Sequence, residues 1–114
     1  VYAVQAGDTA LVHAAAGGVG LLLCQLLKNR GVTVVGTVST AEKAQAASAA
    51  GATHIIRYDR DDLVEAVMAA TEGHGVDVVY DGVGRTTFEA GLKCLKVRGI
   101  MAIFGFLYPR WRAL

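Results

Sequence analysis

The 114 residues predict one α/β domain built as a doubly wound parallel sheet. Two observations carry that prediction. Five short apolar segments rich in β-branched residues recur along the chain, and stretches of helical periodicity fill the gaps between them. Most of the segments are continuous rather than alternating, as in strands covered by helices on both faces. Composition agrees, with 54% hydrophobic residues and a mean hydropathy of +0.42. No apolar run reaches the ~20 residues of a membrane-spanning helix. The longest, from Val19 to Leu27, is broken by Gly20 and Gln25 and stops at Lys28.

The elements follow in order. Ala10-Leu11-Val12-His13-Ala14 is the first strand. Val19, Leu22, Leu23, Leu26 and Leu27 then recur at the spacing of one apolar helical face. Val32-Thr33-Val34-Val35 is the second strand, and Ser39 with Glu42 fits a capping box opening the second helix. His54-Ile55-Ile56 is the third strand. Asp59 or Asp61 caps the third helix, whose apolar residues are Leu63, Val64, Val67 and Met68. Val76-Asp77-Val78-Val79-Tyr80 is the fourth strand, Phe88, Gly91, Leu92 and Leu95 mark the fourth helix, and Ile100 to Phe104 is the fifth strand. Gly31, Gly51, Gly73 and Gly99 stand where helices end. Right-handed crossovers wind such a string into a parallel sheet. Pro109 lies in a tail, Leu107 to Leu114, with no clear pattern.

The net charge of +1 gives no bulk field for nucleic acid. From Arg85 onward the balance is basic, with Arg85, Lys93, Lys96, Arg98, Arg110 and Arg112 against Glu89, a pattern more typical of a solvated face than of an anion site. Cys24 and Cys94 fall in helices and offer neither a disulfide framework nor zinc spacing, which fits a reducing, cytoplasmic setting. The first residues show no signal peptide. The chain begins at Val1 rather than methionine, which points to an N-terminus that has been cut away.

After the first strand comes Ala14-Ala15-Ala16-Gly17-Gly18-Val19-Gly20, leading straight into the leucine-rich helix. It is the dinucleotide fingerprint with alanine in the first glycine position, in the strand-to-helix junction where the chemistry needs it. Gly17 lets a pyrophosphate approach the backbone, where it meets the free N–H groups and positive end of the helix. Gly20 allows close packing of helix on strand. The bland alternative is a tight turn that needs small residues.

The second strand ends at Gly36-Thr37-Val38-Ser39-Thr40, without the acidic residue that holds a ribose 2′-hydroxyl in NAD-preferring domains. Ser39 and Thr40 offer hydroxyls and Lys43, one helical turn beyond, a cation, which suit a 2′-phosphate and so favour NADPH. Against that, Ser39 also serves as a cap, Lys43 as a solvated lysine, and Glu42 adjoins them. Tyr58 lies just past the third strand, where it either flanks an adenosine or shields the sheet edge. Asp81-Gly82-Val83-Gly84 and Phe104-Gly105 end strands at the same rim, where small residues let a flat cofactor lie close. Asp81 reads as a helix-capping or loop-shaping residue rather than a general base, since no second catalytic group lies near it in sequence. His13 reads as a core histidine inside the first strand, His54 as a strand opener and His74 as an exposed turn residue. No cluster has metal-ligand spacing.

Taken together, the run His13 to Gly20, the run Gly36 to Lys43, Tyr80-Asp81-Gly82-Val83-Gly84 and Phe104-Gly105 resemble the zinc-independent quinone oxidoreductases related to zeta-crystallin, in the medium-chain dehydrogenase/reductase superfamily. The resemblance spans Gln5 to Phe106. It implies a Rossmann domain over residues 1–114 in which Ala16, Gly17, Gly18, Val19 and Gly20 cradle the pyrophosphate, with contacts from Gly18 and Val19. It also implies that Ser39 and Lys43 take the 2′-phosphate, that Tyr58 borders the adenosine, and that Phe104 and Gly105 border the nicotinamide. Hydride transfer from NADPH to a quinone or enone, without zinc, and a homodimer paired through this domain are further implications.

The sequence departs from that pattern at both ends. The family places a barrel-like substrate domain ahead of this region. After Gly105 this chain runs Phe106-Leu107-Tyr108-Pro109-Arg110-Trp111, where the family continues to a last strand. A unit of this kind, alone, is expected to bind cofactor with little turnover. Competing readings are the nucleotide half of an enoyl-thioester reductase and a non-catalytic nucleotide- or RNA-binding module. A methyltransferase is disfavoured by Gly20 and by lysine after the second strand, where an acid is expected.

Overall fold

The computed structural model describes residues 4–81 and 85–103. The expectations placed on residues 82–84, Phe104 and Gly105 lie outside the described residues, as does the side chain of Phe88. Within them the order is β1 (Thr9–Val12), α1 (Gly18–Asn29), β2 (Thr33–Val38), α2 (Ala41–Ala50), β3 (His54–Arg57), α3 (Leu63–Ala70), β4 (Val76–Asp81), α4 (Arg85–Cys94) and β5 (Leu95–Ile103). The five strands form one parallel sheet in the order β3-β2-β1-β4-β5. The order reverses direction after β1, so the turn leaving β1 lies at the switch point where open α/β sheets bind ligands.

Strand pleating divides the core. Ala10 and Val12 turn to one face with Val34, Val38, Val78 and Tyr80, where Cys24 and Leu27 of α1 and Ala47 of α2 cover them. Leu11, Val35 and Val79 turn to the other, under Val67 of α3 and Cys94 of α4. The register places Leu11 beside Val35 and Val79, so these three form one row across β2, β1 and β4. Both faces are buried, as the continuous apolar runs predict.

Several local details differ from the sequence reading. β1 ends at Val12, and His13 lies in the turn beyond it, although it is buried. Of the apolar stripe expected on α1, Leu23 and Leu27 pack on the core, and the other three residues do not. Gly20, Cys24 and Leu27 face the sheet, whereas Val19, Leu22 and Leu26 are exposed by 55%, 57% and 45%. The helix is apolar around most of its girth, so periodicity does not set its phase. The fixed point is Gly20, which packs so closely on the β1 turn that a Cβ there would collide with the Ala14 carbonyl.

Caps shift by a residue in both α2 and α3. Thr40, not Ser39, caps α2 by accepting the Lys43 N–H at 3.1 Å, and Asp62, not Asp59 or Asp61, caps α3 by accepting the Glu65 N–H at 3.0 Å. Asp61 instead accepts the Arg57 N–H at 3.0 Å, closing the turn after β3, and Asp59 pairs with the Arg57 guanidinium at 2.9 Å. In α4 Gly91 is buried, Leu92 is exposed and Leu95 already belongs to β5. Leu95 pairs with Val76 and Ile100 with Val78, so residues 96–99 bulge out opposite Asp77. Gly99 therefore sits in a bulge rather than at a helix end, packed where an added Cβ would stand 2.9 Å from the Lys96 carbonyl oxygen. Regular pairing of the last strand resumes at Ile100, as expected.

Candidate functional site

The turn from β1 into α1 is fixed by backbone contacts that only small residues permit. Ala14 adopts a left-handed conformation, φ +54°, and its carbonyl accepts the Gly17 N–H at 2.9 Å. A Cβ on Gly20 would collide with that carbonyl oxygen and stand 2.8 Å from the Ala15 Cα. A Cβ on Gly36 of β2 would stand 2.8 Å from the Ala15 Cβ. Gly18, in contrast, has nothing within 4 Å of such an atom. Gly20 and Gly36 are thus demanded by packing, while Gly18 leaves open space above the loop.

That space faces the start of α1. Gly17 is the N-cap, carries no side-chain capping bond, and is followed by a first turn without acidic residues. The N–H groups of Gly18, Val19 and Gly20 have no carbonyl behind them in the helix, so they and the helix dipole present positive charge. Gly17, Gly18 and Val19 are exposed, and Ala16 is half-buried. A helix start of this kind, with exposed N–H donors and no acidic side chain, is electrostatically suited to an anion.

The neighbouring strands supply the rest of the rim. Beyond β2, the Lys43 ammonium donates to the Ser39 hydroxyl at 3.3 Å, and both residues are outside the core. Because Thr40 caps α2, the Ser39 hydroxyl is released from that duty. Tyr58 is half exposed, and its N–H donates to the Val38 carbonyl at 3.2 Å, which extends the β2–β3 ladder and seats Tyr58 beside the Ser39 turn. The structure thus gathers Ala16, Gly17, Gly18, Val19, Ser39, Lys43 and Tyr58 at the carboxyl ends of adjacent strands.

Beneath the loop lies a buried polar row that the sequence reading did not connect. His13, Thr37 and Asp81 follow Leu11, Val35 and Val79 by two residues each, so they continue that row to the carboxyl edge. All three are buried. His13 Nδ1 lies 3.2 Å from the Thr37 hydroxyl oxygen. Burial pushes the His13 imidazole below its ordinary value, and the Asp81 charge partly offsets this. The signal was a threonine inside the buried stretch of β2, beside a glycine that itself marks close backbone approach.

An opening of about 780 Å³ lies at the opposite, amino ends of the strands, lined by Thr9, Thr33, His54, Thr71, His74 and Lys96, among others. There α3 presents its C-terminal end, whose dipole repels anions. The Lys96 ammonium is held by Asp77 at 3.2 Å. Nothing there converges on a ligand.

The profile of zinc-binding dehydrogenases matches residues 18–111. The chain belongs to the zinc-binding dehydrogenase family.

Among its relatives in that family, quinone oxidoreductase 1 of Escherichia coli is 51% identical over 104 residues, 91% of this chain and 32% of that protein. A 2-haloacrylate reductase of Burkholderia is 47% identical over 102 residues, 90% of this chain and 31% of the relative. The solved structure of E. coli quinone oxidoreductase in complex with NADPH superposes with a TM-score of 0.87 at 51% identity, covering 91% of this chain and 32% of its own. The chain therefore spans about a third of the length of these relatives.

The zinc of the family's name finds no fit among the described residues. No group of three or more His, Cys, Asp or Glu comes together there. Cys24 and Cys94 are buried in separate helices, and burial raises both thiols, Cys94 to about 11, which keeps them protonated and poor as ligands.

Proposed function

We propose that this chain is the NADPH-binding unit of a quinone oxidoreductase, serving hydride transfer to a quinone or a similarly electron-poor double bond. The observation that carries the reading is the Lys43–Ser39 pair, 3.3 Å apart, at the end of a β2 that carries no acidic residue. A ribose 2′-hydroxyl would find no carboxylate there, whereas a 2′-phosphate would find an ammonium and a hydroxyl. The residues fit the cofactor: the α1 N–H groups and Gly18 hold the pyrophosphate, Ser39 and Lys43 the 2′-phosphate, and Tyr58 the adenosine. Phe104 and Gly105 border the nicotinamide in the same reading.

The bound cofactor supplies the hydride, and the protein supplies position and charge. The 47% identity to a 2-haloacrylate reductase supports an acceptor class that extends to activated alkenes. The reaction is read as zinc-free, on the resemblance of the loop motifs to those of the zinc-independent quinone oxidoreductases. The acceptor pocket belongs to a substrate domain outside residues 1–114, so this unit binds cofactor and turns over little by itself. A cytoplasmic homodimer completes the proposal, by likeness to the quinone oxidoreductases.

Calorimetric titration with NADPH and NADH, repeated on Lys43→Ala, tests the reading. NADPH is expected to bind the parent chain more tightly, and Lys43→Ala to lose roughly tenfold in NADPH affinity while NADH is unaffected, as for one charge-assisted contact. Equal binding of both nucleotides by the parent chain would remove Ser39 and Lys43 from the site. Binding of neither would remove the cofactor reading for this chain.

A further inference from the structure

We propose that the Thr37 hydroxyl is a strut that pre-forms the phosphate loop, making Thr37 a positioning residue for the cofactor; the affinity consequence rests on the NADPH reading above. Three contacts converge on this residue. Its hydroxyl oxygen accepts the Ala14 N–H at 3.2 Å, its carbonyl accepts the Ala15 N–H at 2.9 Å, and His13 Nδ1 lies 3.2 Å from the same hydroxyl.

The geometry gives these contacts a purpose. Ala14 is left-handed at φ +54°, a conformation that a side-chain-bearing residue adopts only when its surroundings impose it. The Ala14 N–H is held by Thr37, and the Ala14 carbonyl is held by the Gly17 N–H at 2.9 Å and pressed against Gly20. With both ends of the residue fixed, the Gly17–Gly20 segment cannot swing, and the α1 N–H groups stay aimed at one point. His13 completes the strut from below. The hydroxyl oxygen already accepts from Ala14, so its own proton is free to reach a neutral Nδ1. The alternative tautomer donates to the hydroxyl instead, and either way the imidazole orients Thr37. His13 is 3% exposed, and among the described residues its Nε2 has no hydrogen-bond partner, so within them the ring's hydrogen bond is the one to Thr37. Sites that bind anions through backbone N–H groups gain affinity when the donors are arranged before the ligand arrives.

Thr37→Val keeps the shape and removes the hydroxyl, and Thr37→Ser restores it. Amide hydrogen exchange on the nucleotide-free chain is the first readout. Thr37→Val should speed exchange across residues 14–20 by roughly tenfold, the loss expected of one hydrogen bond, with β3 and β4 unchanged and Thr37→Ser close to the parent. Titration is the second. Thr37→Val should weaken NADPH and NADH alike, by roughly tenfold, leaving their ratio intact, in contrast to Lys43→Ala. Parent-like exchange in Thr37→Val overturns the proposal. So does equal damage in Thr37→Ser, which would make the role steric, or faster exchange throughout the sheet, which would make it one of general stability. Should the parent chain bind neither nucleotide, the NADPH reading falls while exchange still decides the strut.

Discussion

Gly18 and Gly20 stand two residues apart in one loop and serve different ends. Gly20 has no room for a methyl group, because the Ala14 carbonyl and the Ala15 backbone already occupy the space. Gly18 has open space there. Gly20→Ala should therefore cost about 1–3 kcal/mol of stability, as overpacking does, and lower the urea midpoint. Gly18→Ala should leave the midpoint unchanged and, in the proposed reading, weaken NADPH binding, because its methyl would fill the gap assigned to the pyrophosphate. A Gly18→Ala variant that binds NADPH normally would move the pyrophosphate elsewhere. The glycine pattern was legible in the sequence, since its spacing and position need no structure to be seen. Which glycine packs and which leaves room was legible only in part. Gly20 was read as a packing residue, but its contact atoms belong to residues whose conformation, a left-handed Ala14, nothing in the sequence announces.

At the scale of the element, α1 shows where periodicity fails. Leucine occupies positions 21, 22, 23, 26 and 27, so apolar side chains surround much of the helix and several stripes fit equally well. The structure selects the one containing Gly20, Cys24 and Leu27. Leu27 is 1% exposed and Leu22 57% exposed, so truncation should separate them sharply. Leu27→Ala should cost about 2–5 kcal/mol and Leu22→Ala no more than about 0.5 kcal/mol in chemical denaturation. Similar losses at both positions would mean the helix sits in the other phase. The caps of α2 and α3 teach a related lesson. Ser39 and Thr40 both have capping side chains, as do Asp59, Asp61 and Asp62. The choice within each run depends on where the preceding strand lets go. Here that leaves Ser39 beside Lys43 and puts Asp61 to use in the turn after β3.

For the whole molecule, the buried row His13, Thr37 and Asp81 couples folding to protonation. Burial holds the His13 imidazole below 6.5, its value in an unfolded chain. Between 6.5 and that lower folded value the unfolded chain binds more protons, so stability is full above 6.5 and declines as pH falls below it. The decline levels off beneath the folded value, and Asp81, attracting the imidazolium, shortens the window. Urea midpoints taken downward from pH 7.5 should fall in the parent chain, while His13→Gln should show a flatter profile across the histidine range. Identical profiles would mean His13 is not held neutral by the fold. This coupling was invisible in the sequence, where the three residues are separated by whole βα units. Parallel register brings them into line, because each follows an apolar residue of one row by two positions.

The sequence alone determined the α/β class, the order of strands and helices, the place of the glycine-rich loop, and the lysine and hydroxyl after the second strand. Those are local properties: strand and helix periodicity, turn residues, and the chemistry of side chains close together in the chain. Tertiary structure decided the rest. It chose the buried face of α1, the capping residue among adjacent candidates and the bulge at residues 96–99. It also placed Thr37 beneath Ala14. Each of these depends on contacts between segments remote in sequence, where close packing admits one arrangement and the linear pattern admits several.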